Sequence, residues 1–310
     1  GALVVLGSTA FSVGAQTTFD GLVYANYHLG LTRDSSLTPA SQPNNFDVNR
    51  VHLTWRNLSD NGVSVRLTLD MDGRSAASNQ LSMRVKFAHV SWNPKGSALK
   101  WKFGQQPVPI VGFIEDMYGY RMQGPVAIDG YRYQAAGDFG FAVEGGYRAE
   151  GLNFAAGVFN GENFFGAPGD HRKDVAARVS LRLKGTDDSS KTGGLRLTGY
   201  ASVGAPTDGG SRHRALLLLS YATKRYTIAG EFAGTTDSTA GSANMPGTFV
   251  SLWGTYQKPD SPWGFMARLD RLDRNTDLSP AVATLASSVQ TRVITGVSYR
   301  MAKALRVLVD

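Results

Sequence analysis

The chain has 310 residues, no cysteine, 36 glycines and a formal net charge of +7. Without cysteine, a disulfide-stapled fold, a cysteine zinc site and a cysteine nucleophile are excluded. So much glycine argues against a leucine-rich helical core and for many turns.

At the start, Ala2-Leu3-Val4-Val5-Leu6 is apolar and small residues follow up to Val13-Gly14-Ala15. Residues 1–15 read as the remnant of an export signal cut between Ala15 and Gln16, with its basic beginning clipped; the alternative is a first buried strand. No later stretch approaches the roughly 18 apolar residues of a membrane helix. No linker or shift of composition follows, so residues 16–310 read as one domain.

From there strand period dominates. From Val63 to Met71 every odd position is apolar and every even one polar, and Val175 to Lys184 does the same except at Ala176. Side chains alternate faces along a strand, so each such segment has one apolar and one polar face. Fifteen segments follow: 18–30, 45–57, 62–71, 82–92, 98–105, 138–148, 151–160, 171–184, 193–204, 212–223, 225–235, 247–258, 262–272, 289–301 and 303–310. Two of them, 212–223 and 247–258, alternate poorly, and 45–57 changes parity near Asn49-Arg50, which predicts a bulge.

The links sort into two kinds. After even-numbered segments they are short and rich in turn formers, as in Asp60-Asn61-Gly62, Asn93-Pro94-Lys95-Gly96 and Lys258-Pro259-Asp260. The link at 185–192 is longer. After odd-numbered segments they are mostly long, as at 31–44, 106–137 and 273–288. Short turns at one end and long loops at the other predict an all-β fold, a transmembrane antiparallel up-and-down β-barrel in a bacterial outer membrane. Such barrels have an even strand count, so about sixteen strands are expected, the last lost to truncation; otherwise residues 126–135 supply the missing strand. Trp55, Trp92, Trp101, Tyr147, Tyr221, Tyr226, Tyr256 and Trp263 fall near the short turns, as a girdle at the membrane surface requires.

With the apolar face toward lipid, parity sends a basic set to the lumen. It comprises Arg56, Arg66, Arg84, Lys86, Lys100, Lys102, Arg178, Arg182, Arg196, Arg268, Arg292 and Arg300, with Arg50 beside the bulge. The acids of the same parity are fewer: Asp20, Asp70, Glu144, Glu231 and Asp270. A cationic wall favours anions; alternatively the two signs pair and leave a weakly selective pore. The third long loop, 106–137, carries Pro107-Val108-Pro109-Ile110-Val111-Gly112-Phe113-Ile114, too apolar for a solvated loop. It either folds into the barrel, bringing Glu115, Asp116, Arg121 and Arg132 to a constriction, or packs on a neighbouring subunit.

Enzymatic chemistry is poorly motivated. The histidines His28, His52, His89, His171 and His213 lack metal-ligand spacing, no nucleophile elbow or nucleotide-binding glycine motif occurs, and Asp34 and Asp187-Asp188 lie in turns. No enzyme activity, metal or cofactor is expected. Lys and Arg form no basic tail and no nucleic-acid module occurs, so no nucleic-acid partner is expected either.

The run Phe46-Asp47-Val48-Asn49-Arg50-Val51, then Arg66-Leu67-Thr68-Leu69-Asp70, resembles the early strands of the phosphate-selective porin O and P family. Phe103-Gly104-Gln105-Gln106-Pro107-Val108-Pro109 and Phe159-Asn160-Gly161-Glu162-Asn163 resemble that family's entry to the third loop and its Asn-Gly stretch. The resemblance runs from Phe19 onward. It implies a sixteen-stranded barrel, a homotrimer, an inward third loop and anion passage, with phosphate specificity in a few members. The lysine pocket behind that specificity has no counterpart here, since the loop offers only Arg121 and Arg132, so the phosphate site is not carried over. The expected function is an outer-membrane diffusion channel for small anionic or neutral solutes with anion bias, surrounded by outer-membrane lipid. Three rivals remain: an adhesive barrel with a plugged lumen, a barrel enzyme acting on lipids, and a soluble β-sandwich.

Overall fold

Alternating sequences form strands because the pleat lets each face meet a different surroundings. The computed structural model describes residues 16–29, 44–59, 61–74, 80–166, 169, 171–206, 208–276 and 289–310. The export remnant at 1–15, Asp34 and most of the loops 31–44 and 273–288 lie outside them. Fifteen strands occur among the described residues, gathered into two units, Gly1–Ser97 and Ala98–Asp310.

The first unit is an antiparallel meander of β1 (Gln16–Leu29), β2 (Asn44–Leu58), β3 (Val63–Arg74) and β4 (Leu81–Trp92). In the β1–β2 ladder Tyr24 pairs with Arg50 and Ala25 with Val48, so Asn49 is the extra residue of a bulge. That bulge reverses parity where the sequence predicts it. The β2–β3 turn needs glycine: Gly62 has φ +80°, and a Cβ there would fall 2.1 Å from the Asn93 carbonyl oxygen.

The second unit opens with β5 (Leu99–Pro107), then two helices, α1 (Val111–Tyr118) and α2 (Ala127–Gly130). Ten strands follow in a meander: β6 (Gly137–Tyr147), β7 (Leu152–Phe159), β8 (Asp174–Lys184), β9 (Gly194–Gly204), β10 (Ser211–Ala222), β11 (Tyr226–Ser238), β12 (Met245–Gln257), β13 (Trp263–Asp273), β14 (Gln290–Ala302) and β15 (Leu305–Val309). Each pairs antiparallel with its chain neighbours. Residues 126–135, the alternative site for a sixteenth strand, hold α2 and tight turns instead. Tyr131 there donates its backbone N–H to the Ala127 carbonyl, so that N–H closes a helical turn rather than joining a ladder.

The faces are inverted relative to a water-soluble sheet. On β13, Trp263, Phe265 and Leu269 are exposed while Arg268 and Asp270 are buried. The same holds on β8, where Val175, Val179 and Leu181 are exposed and Arg178 and Ser180 buried. An extended apolar exterior over a polar interior suits a sheet whose outer solvent is hydrocarbon.

Candidate functional site

Residues 108–136 form the core of the second unit. Ile110, Val111, Ile114, Val126, Ala127 and Ile128 are almost fully buried. Helix α1 ends at Gly119, whose φ of 65° lets its N–H return to the Glu115 carbonyl at 3.0 Å. The segment lies on the polar face of the strands. Tyr118 meets Trp253 edge-on with ring centroids 5.2 Å apart, and Tyr133 stacks on Phe249 at 5.9 Å. Tyr200 donates to Gln134 at 2.8 Å, and Tyr131 to Asp270 at 3.1 Å. Burial pushes the Tyr118 and Tyr131 phenols up to about 12, so both stay protonated and able to donate.

Non-helical backbone leaves carbonyls that something must satisfy. Wall arginines do this. Arg178 donates Nε to the Pro109 carbonyl at 2.9 Å, holds Asn153 at 2.6 Å and lies 4.0 Å over the Phe113 ring. Arg214 donates to the Tyr133 carbonyl at 2.9 Å and to Asp237 at 2.7 Å. Arg268 donates to the Pro125 carbonyl at 2.7 Å and pairs with the fully buried Asp270 at 2.7 Å. Arg306 reaches the Gly119 carbonyl at 3.3 Å. Charge-assisted bonds of this kind are worth about 1.5–3 kcal/mol each.

The loop's own charges are less buried. Arg121 pairs with Glu115 at 2.5 Å and approaches Asp129 at 3.8 Å, each of the three about a fifth exposed. Asp116, half exposed, pairs with Lys191 of the β8–β9 link at 2.7 Å. Arg132 takes a left-handed φ of 63° beside α2.

Elsewhere in this unit, Lys102 and Lys100 share Glu144 at 2.5 and 3.7 Å. Arg182 holds the carbonyls of Ala149, Ser189, Ser190 and Gly193, and Arg196 those of Gly193 and Glu150, so both knit turns together. Arg292 and Arg300 are exposed on the loop-bearing parity of β14, Arg292 in register with Asp270.

In the first unit, three groups converge on the fully buried Asp70: Arg50 at 3.1 Å, His52 at 2.9 Å and Arg84 at 3.7 Å. Arg66 and Lys86 flank the Phe87 ring at 4.5 and 5.5 Å, and Arg56 pairs with Asp20. Thus β2–β4 direct Arg50, Arg56, Arg66, Arg84 and Lys86 to the face that holds Asp70.

Sequence reasoning passes over Arg214 and Arg306, because β10 alternates poorly and β15 is short. A signal for the loop's path exists nonetheless: Leu216, Leu218, Phe249 and Trp253 are apolar residues on polar-face parity, and all are buried, with Trp253 and Phe249 meeting loop rings.

Neither family models nor curated protein sequences match the chain. Solved structures do. An anion-selective porin from Comamonas acidovorans superposes with a TM-score of 0.60 at 12% identity, over 93% of this chain and 85% of that one. OmpF of Salmonella typhi, in complex with daunomycin, gives 0.64 at 12% identity over 95% and 89%. A mutant of the Rh. blastica porin gives 0.55 at 14% identity over 94% and 93%. The fold is therefore that of the bacterial porins, antiparallel up-and-down β-barrels of the outer membrane. The apolar faces of the strands belong in the hydrocarbon of that membrane.

Proposed function

We propose that the chain is a porin proper: a passive channel for small hydrophilic solutes, biased toward anions, and assembled as a homotrimer. The observation that carries this reading is the apolar segment 108–136 moored by arginines to the polar face of the second unit. A loop held there narrows a barrel without closing it, and so sets a size limit. Glu115, Asp116, Arg121 and Arg132 are the constriction residues in this reading. The bias comes from wall cations: Arg50, Arg56, Arg66, Arg84 and Lys86 in the first unit, and Lys100, Lys102, Arg292 and Arg300 in the second. Arg178, Arg182, Arg196 and Arg268 belong to the same wall, but their guanidinium groups are engaged by carbonyls and contribute field rather than contact.

Transport involves no chemical step. A solute enters, passes the charged narrowing and leaves down its gradient, and inorganic phosphate passes as one anion among others. Conductance across planar bilayers in a salt gradient tests the proposal. The expected reversal potential has the sign of anion preference. A cation-selective potential removes the bias, and the absence of conductance removes the channel in favour of a plugged, adhesive barrel.

A further inference from the structure

The apolar face of the second unit is not smooth. A groove of about 590 Å³ is cut into it, from Leu195 of β9 across β10–β14. Register explains its shape. One cross-strand row runs Tyr221, Ile228, Gly254, Ala267, Thr295, and the row farther from the short turns runs Leu219, Gly230, Leu252, Leu269, Val293. Gly254, Ala267 and Thr295 are three small residues side by side, spanning three strands at about 4.8 Å spacing, and Gly230 opens the notch into the row beyond. The bulky walls, Leu219, Ile228 and Val293, are between 52% and 69% exposed. The charged residue among those lining the groove, Arg268, turns to the opposite face, to Asp270 and Pro125.

Toward the short turns the notch meets a sill of rings, Tyr226, Tyr256 and Phe265, adjacent in register. Tyr256 and Phe265 stack at 6.3 Å, and Tyr226 stacks on Tyr221 at 5.9 Å. Just beyond the sill lie the turns that carry Lys224, Arg225 and Lys258. Asp260 shares the second of these turns, and Asp187 is occupied by the Lys224 backbone N–H at 3.1 Å.

We propose that this groove is a binding site for an anionic phospholipid: one acyl chain lies in the notch over Gly254 and Ala267, and the headgroup phosphate sits against Lys224, Arg225 and Lys258. Three physical facts select that occupant. The groove opens into hydrocarbon, where lipid chains are the available filler, and a void there forfeits dispersion contacts. The groove is apolar along its length, which suits methylenes and repels a headgroup. Cations follow immediately past an aromatic sill, the level at which phosphates lie, and each such cation attracts an anionic lipid.

The test uses the full-length protein in detergent, with bound lipid counted by native mass spectrometry after mixing with phosphatidylglycerol or phosphatidylcholine of the same chains. Phosphatidylglycerol is expected to be retained over phosphatidylcholine, and Lys224→Gln and Arg225→Gln each to lower its retention by about fivefold. Gly254→Leu fills the notch; a Cβ there meets nothing closer than 3.6 Å. It is expected to lower retention of both lipids by about tenfold, the loss of roughly two buried methylenes. Gly199→Leu, at an exposed glycine of β9 with open space around it and outside the groove, leaves retention unchanged. Should Gly254→Leu fail to fold, Ala267→Leu fills the same notch. Equal retention of the two lipids, equal loss in both leucine variants, or loss of oligomer with lipid retained would overturn the proposal; the last would assign the groove to a second copy of the chain.

Discussion

The polar faces of β2–β4 and of β10–β13 are built on opposite plans. The first presents Arg50, His52, Arg66, Arg84 and Lys86 around one buried carboxylate, Asp70. The second alternates charge with grease: Arg214, Glu231 and Asp270 share it with Leu216, Leu218, Phe249 and Trp253. The apolar residues there pack in one core with segment 108–136, while Arg214 holds the Tyr133 carbonyl and Asp270 the Tyr131 hydroxyl. One face thus gathers cations around a carboxylate, and the other holds a loop.

The strongest way to break this contrast is Arg268→Ala. It frees the Pro125 carbonyl and leaves Asp270 buried without its guanidinium, a loss of about 3–5 kcal/mol. The expected result is a lower unfolding temperature together with noisy single-channel currents as the loop loosens. On the other wall, Asp70→Asn removes the carboxylate shared by Arg50, His52 and Arg84. Felt by a passing ion through water, a unit charge a few ångströms away is worth about 1 kcal/mol, so the permeability ratio should shift roughly fivefold toward anions. Reversal potentials measure this, and a shift toward cations would contradict the assignment of that wall.

Alkali probes the mooring from a third direction. The Tyr118 and Tyr131 phenols titrate at about 12 in place, against about 10 in an unfolded chain. A raised pKa contributes stability that is complete below the unfolded value and is lost as pH climbs toward the folded one. Loop fluctuations should therefore grow between pH about 10 and 12, with Tyr131→Phe blunting the response. The smallest effect belongs to Arg121→Ala, which breaks part-exposed pairs with Glu115 and Asp129. Its stability cost should be about 0.2–1 kcal/mol, and its signature a change in conductance rather than in melting.

Much of this contrast is legible in the sequence. Period-2 alternation from Val63 to Met71 and from Val175 to Lys184 gives strands and faces, because one face must meet hydrocarbon. The parity change at Asn49 gives the bulge. The apolar run from Val108 to Ile114 announces a buried loop but not its resting place, since a loop has no parity. The wall supplies the missing information: the poor alternation of β10 and β12 is the loop's footprint. What leaves no mark is which arginines are engaged. Arg178, Arg268 and Arg292 look alike as polar-parity residues, yet the carbonyls of Pro109 and Pro125 are directed at the first two.

Those proline carbonyls also govern which parts of segment 108–136 can change. Proline has an acceptor and no N–H, so a single guanidinium satisfies all of its main-chain hydrogen bonding. A mooring made to main chain is indifferent to the side chains it secures. Glu115, Arg121 and Asp129 can therefore be exchanged while the fastening stays as it is.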